Sequence, residues 1–218
     1  MTNNNPIPFG KLTVPLVFQT ALILAVPGQA VYTQLTGKTV ILQTAPVDPY
    51  ELLRGYSQTM RYDISNQDSL RDLPGWEELP KQQPDGNSVT FIKPGTRFYI
   101  ILAEPASSSL PGLPQTWKPI ALTTKRPSQL PPNQVALQGL AQRGLIEYGL
   151  ENYYIPEDQR DRINTDLSSA RQANRIQPQQ LPPIVMEIKV DAQGNALPIS
   201  LWVQVGKGSD QQIRNYRF

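Results

Sequence analysis

Few residues in this chain have the types and spacing that chemistry needs. Glu147 and Glu151 stand four apart, so one backbone element can place both carboxylates on the same face, as a glycosidic acid–base pair requires. Ser57 or Ser65 with Lys93 is the other combination, a serine nucleophile beside a lysine that burial would activate. The 218 residues include no histidine and no cysteine. That removes Ser-His-Asp and Cys-His centres, imidazole bases, zinc fingers, iron–sulfur clusters and disulfides. Neither remaining pair sits in a supporting motif. The expectation is a non-enzyme with no catalytic residue, no metal and no cofactor.

Composition narrows the remaining classes. Twenty basic and 18 acidic residues give a net charge of +2, and no basic run is longer than Lys125-Arg126. A nucleic-acid partner is therefore not expected. Charged residues make up only 17% of the chain, while 22 glutamines and 11 asparagines supply polarity through amides. The 22 prolines disfavour long helices and favour strands, turns and extended connections.

The strongest hydropathy feature is N-terminal. Lys11 and Lys38 bracket an uncharged stretch in which residues 12–32 read LTVPLVFQTALILAVPGQAVY. Twenty-one residues at the helical rise span about 30 Å, the thickness of a hydrocarbon core. Pro15 and Pro27 lie near its two ends, where they harm a helix least. The stretch reads as a transmembrane helix behind a disordered tail at residues 1–11. A cleaved signal peptide with its apolar centre at residues 16–26 is the alternative. Lys11 without a nearby acid favours a cytoplasmic N-terminus and an extracytoplasmic main domain.

The elements that must position any site are mostly strands. Strands are expected at residues 39–44, 59–64, 89–92, 97–103, 117–124 and 135–141, with a long loop at residues 66–88. Val135, Leu137, Gly139 and Ala141 should share one face. One main helix is expected at about 156–176. Pro156 opens it, Glu157 and Asp158 complement its dipole, and Ile163, Leu167, Ala170 and Ile176 form its apolar stripe. Its four acids and four arginines read as a solvated face. The clearest strand pair runs through residues 184–190 and 197–205 about an Asp191-Ala192-Gln193-Gly194-Asn195 turn. Leu197, Ile199, Leu201, Val203 and Val205 should face the core. The fold class is mainly β (α+β): an antiparallel β-rich domain over residues 37–218 with one main helix.

Between Gly37 and Ser65 the chain reads GKTVILQTAPVDPYELLRGYSQTMRYDIS. With Pro46-Val47-Asp48-Pro49, Leu53-Arg54-Gly55 and the motif GYSQTMRY, it resembles the GDYXXLXY family of bacterial membrane-anchored proteins. Gly55 and Tyr62 match the motif and Met60 replaces its Leu, while Tyr56 and Ser57 replace its Asp and first Tyr. Tyr148-Gly149-Leu150-Glu151, Tyr153-Tyr154-Ile155-Pro156-Glu157 and the hairpin at residues 185–205 are similar to later family signatures. The resemblance implies an anchor, an extracytoplasmic β-rich domain and a bacterial inner or thylakoid membrane. It carries no activity, and loss of the motif Asp argues against a catalytic role.

The same residues have plain structural uses. Asp48 before Pro49 suits an Asx turn, Gly55 can end a short helical turn, and Arg54 can pair with Asp48 or Glu151. The candidate binding residues are Asp48, Arg54, Gly55, Tyr62, Tyr148, Gly149, Glu151, Tyr154 and Glu157. Tyrosines with acids between them resemble a recognition surface. The expected partners are the membrane, through residues 12–32, and a membrane or envelope protein. The competing readings are a secreted binder after signal cleavage and a Ser/Lys-type anchored hydrolase.

Overall fold

Alternating side chains build most of this fold, and the computed structural model describes it over residues 9–45, 57–83, 89–106, 112–142, 144–154, 157–176, 183–206 and 210–217. The first strands are β1 (Lys38–Ala45), β2 (Ser57–Thr59), β3 (Arg61–Tyr62), β4 (Lys81–Gln82), β5 (Phe91–Ile92), β6 (Arg97–Ala103) and β7 (Lys118–Thr123). Then follow β8 (Gln134–Gln142), β9 (Leu145–Glu147), β10 (Asn152–Tyr154), β11 (Ile184–Val190), β12 (Ala196–Val205) and β13 (Gln212–Arg217). Helix α1 covers Phe9–Thr36 and α2 covers Arg160–Ile176. The domain is β-rich, and every described strand pair is antiparallel.

Two main sheets enclose one core. The first has the order β13-β12-β11-β1-β3 and the second β7-β6-β8-β9. In the first sheet, Leu42 pairs with Met186, Met186 with Leu201, and Leu201 with Tyr216. This row of four side chains crosses four strands, and each is buried. Ile163, Leu167 and Ala170 of α2 join the same core. In the second sheet β8 alternates along its whole length: Val135, Leu137, Gly139 and Ala141 are buried and their neighbours are half-buried. The expected face is the observed one.

Several expectations change in detail. The 184–205 hairpin forms as read, but the register shifts where Glu187 pairs with Ser200 and Ile188 with Pro198. The extra residue, Ile199, breaks the alternation. Leu201 and Val203 stay buried while Leu197, Ile199 and Val205 are only half-buried. The 59–64 strand is split, β3 giving way to a 3-10 turn at Asp63–Ser65. The expected loop at 66–88 contains 3-10 turns at Gln67–Leu70 and Trp76–Glu78, and β4 pairs with β5. Leu70, Trp76 and Leu79 are buried there. Gly75 brings this segment onto β7. Its φ is +88° and an added Cβ would lie 1.9 Å from the Leu122 carbonyl oxygen. Strand β13 was not anticipated at all.

Helix α1 also departs from the expectation. Phe9–Lys11, assigned to a disordered tail, are already helical, and the helix continues to Thr36. No single helix among the described residues is long and apolar enough to cross a membrane. Thr13–Ala25 and Pro27–Thr36, bent by 43°, meet that test of length and composition as a pair. Pro27 explains the bend, because it lacks an N–H and its ring presses on the carbonyl four residues earlier. It lies inside the helix rather than at its end.

Candidate functional site

The two signature segments meet. Strand β10 pairs with β2, placing Asn152 opposite Thr59, Tyr153 opposite Gln58 and Tyr154 opposite Ser57. The Met60 N–H donates to the Glu151 carbonyl over 2.7 Å, and Asn66 bridges to Leu145. Two tyrosines then cross-link the segments in opposite directions. The Tyr62 hydroxyl donates to the Leu150 carbonyl at 2.9 Å, and the Tyr148 hydroxyl donates to the Ile64 carbonyl at 2.5 Å. Both rings are buried. They therefore do not form the exposed recognition surface expected of them, since each hydroxyl is committed to a backbone carbonyl. Gly139 makes room for one ring, as a Cβ there would come within 3.2 Å of Tyr148 Cε1.

Each position of Tyr148-Gly149-Leu150-Glu151 has a local task. Gly149 is exposed and takes φ +76°, a conformation that side chains resist. Leu150 is fully buried and supplies the carbonyl for Tyr62. Glu151 Oε1 accepts from the Tyr148 N–H at 2.5 Å and so closes the turn. Burial pushes the Glu151 carboxyl above its ordinary value, and the charge of exposed Glu147 adds to this. Hydrogen bonds from the backbone of Tyr148, Glu151 and Gly149 oppose it. Asp63 is raised too, chiefly by burial, against hydrogen bonding from the Ile64 N–H and the charge of Lys118. Tyr148, buried and facing the charges of Asp63 and Glu151, is held well above the usual tyrosine range.

A pH dependence follows. Carboxyls raised by folding hold their proton longer in the folded state than in the unfolded one. Their stabilisation is full below the ordinary values and is lost as pH rises through the raised ones. For Glu151 the window opens at the ordinary glutamate value of 4.5. Glu151→Gln keeps the oxygen that accepts from Tyr148 and removes the charge. The variant should lose less stability than the wild type as pH rises through that window, read as denaturation midpoint against pH. Parallel curves would count against this role for Glu151.

Other expected site residues are less informative. Asp48, Arg54 and Gly55 lie outside the described residues, and with them the proposed Arg54 pairings. Tyr154 belongs to β10, and Glu157 begins a 3-10 turn that leads into α2. Glu147 and Glu151 do not share a regular element: Glu147 ends β9, and Glu151 lies in the turn before β10. Ser65 is buried and accepts from the Tyr62 N–H, whereas Lys93 is exposed. Among the described residues no cluster of three or more acids could hold a metal.

The model of the GDYXXLXY protein family matches residues 19–201. The chain belongs to the GDYXXLXY family. No curated protein and no solved structure matches it. The described part of the GDYXXLXY motif now has a structural meaning. Its sixth and eighth positions, Met60 and Tyr62, point into the core, and Met replaces Leu at similar volume. Tyr62, the last letter of the motif, is the residue that ties it to the second signature.

Two polar constellations escaped the sequence reading. On α2, Asp166 is buried and accepts from Arg214 Nη1 at 2.6 and 2.8 Å and from the Tyr216 hydroxyl. The charges of α2 are thus not all solvated, because the helix packs its Asp166 against β13. At the other end of the sheet, Asp191 is buried and accepts from the Thr33 hydroxyl of α1 at 2.9 Å. The Asx-turn pattern at Asp191 was visible, but its link to α1 was not.

Proposed function

We propose that this member of the GDYXXLXY family is a single-pass membrane-anchored, non-enzymatic protein. Its β-rich domain binds a partner protein or scaffolds a complex in a bacterial inner or thylakoid membrane. The observation that carries this reading is the surface of α1. Val14, Leu16, Val17, Phe18, Leu22, Ile23 and Leu24 are each at least 57% exposed, and among the described residues no other element covers them. A helix that is apolar on all sides needs an apolar surrounding. Lys11, in the first turn of α1 with no acid near it in the sequence, supports a cytoplasmic side for that end of the helix, with the domain in the periplasm or lumen.

A non-enzymatic role is supported by how the polar groups are used. The Tyr62, Tyr148, Glu151 and Ser65 side chains are engaged with backbone groups of the fold. Lys93, the only base suggested for a serine dyad, lacks the burial that such a dyad needs.

The test is fractionation. The full chain should pellet with membranes and resist alkaline extraction, and deletion of residues 12–32 should release it. A full-length, uncleaved protein recovered in the soluble fraction would sink the reading. A mature protein beginning near residue 31 would select the secreted alternative.

A further inference from the structure

We propose that the β domain is seated directly on the bilayer, with Ala192 and Gln193 of the β11–β12 turn in the lipid headgroup layer. The inference rests on the anchor reading and adds an orientation to it. Three observations point to it.

The first is the absence of a linker. Helix α1 ends at Thr36 and β1 begins at Lys38, leaving only Gly37 between them. The Gly37 N–H donates to the Thr33 carbonyl at 2.8 Å. A Cβ on Gly37 would lie 2.4 Å from that carbonyl oxygen and 3.1 Å from the Lys189 Cβ. The joint is too tight for a swivel.

The second is a clamp. Thr33, only 2% exposed, donates to Asp191 Oδ2. Asp191 in turn accepts from the Asn195 side chain at 3.0 Å and from the Gln193 and Asn195 N–H groups at 2.9 Å each. Burial disfavours the Asp191 charge, but the hydrogen bonds from Asn195, Thr33 and Gln193 prevail and hold its carboxyl below the usual range. The helix is therefore bonded to the turn itself.

The third is length and exposure. Thr13–Ala25 lie clear of the domain and span about 20 Å at the helical rise, and Pro27–Thr36, bent by 43° from them, add about 11 Å along the same direction, together close to a hydrocarbon core of about 30 Å. In the second of these parts Val31, Tyr32 and Leu35 are 54%, 47% and 78% exposed, at the level where the helix touches the domain. On a domain standing off in water these three would be bare. A bilayer that reaches Leu35 covers them and places Tyr32 in the interfacial aromatic belt. The turn bonded to Thr33 is then at headgroup depth.

The chain has no cysteine, so single labels are clean. Ala192 and Gln211 are both exposed. Gln212 pairs with Val205, nine residues along β12 from Ala196 and about 30 Å away. Full-length Ala192→Cys and Gln211→Cys proteins would each carry an environment-sensitive dye in phosphatidylcholine vesicles that contain headgroup-spin-labelled lipid. The label at 192 should lose most of its emission and the label at 211 should keep it. Adding Thr33→Val to the 192 protein should restore part of the emission while the protein still floats with the vesicles. Failure to float overturns the anchor reading. A floating protein with equal emission at the two positions, quenched or not, overturns the seating alone. So does a 192 label that keeps its emission because a partner's helix, and not lipid, covers Val31, Tyr32 and Leu35.

Discussion

Tyr62→Phe and Tyr148→Phe should each destabilise the protein by about 1–3 kcal/mol, the cost of leaving a buried carbonyl without its donor. Each change removes one oxygen and leaves the ring in place, so no cavity complicates the comparison. The orphaned acceptors are the carbonyls of Leu150 and Ile64, both in fully buried residues. For a chain of this size the loss lowers Tm by several degrees. The two bonds join the same pair of segments, so the double variant should deviate from additivity. Tyr99→Phe is the control. Its hydroxyl accepts from the half-buried Gln138 side chain at 3.2 Å, and the change should cost little. Thermal melts of the full chain in detergent decide the matter. A ligand-binding role for Tyr62 or Tyr148 would leave the melts unchanged and reduce binding. If both variants melt within the range of Tyr99→Phe, the cross-link does not hold the signatures together.

Local pattern made much of this fold legible, and long-range pairing made the rest illegible. The β8 face and the β11–β12 hairpin follow from period-two alternation, and the buried stripe of α2 from its 3.6-residue period. The Asp191–Asn195 turn follows from its Asx chemistry. The bulge at Ile199 could not be read, because an alternating strand carries no mark of the residue that slips out of register. Strand β13 was missed because QIRNYR presents only Ile213 and Tyr216 as apolar, and they fall on opposite faces. The GDYXXLXY resemblance located both signatures but not their relation. Tyrosines among acids read as a surface until Ile64, 84 residues away in sequence, is seen to accept from the Tyr148 hydroxyl. The acid at position 63 drew no notice either, since its raised carboxyl depends on burial that the sequence does not print.

Asp166→Ala should detach the sheet's edge strand from α2. On sequence alone the charges of α2 belong to water, and Arg160, Asp161 and Arg162 are indeed exposed. Asp166 is the exception at 4% exposure, between the buried Ile163, Leu167 and Ala170 of the helix stripe. Its carboxylate holds two residues of β13, Arg214 and Tyr216. Loss of the carboxylate leaves the buried Tyr216 hydroxyl without an acceptor, which alone costs about 1–3 kcal/mol. Arg214 also loses the partner that holds its guanidinium above its ordinary pKa, through hydrogen bonding first and charge second. Its side chain is 30% exposed, so water takes up part of that loss. The expected result is a Tm lower by several degrees, with amide exchange accelerated over residues 212–217 and unchanged in β6 and β8. Replacement of the whole set, Asp166→Leu with Arg214→Met and Tyr216→Phe, should recover most of the stability, because apolar packing often matches a buried ion pair. A triple variant no more stable than Asp166→Ala would show that the carboxylate does more than fasten β13. Unchanged exchange over residues 212–217 in Asp166→Ala would show that it does not fasten the strand at all.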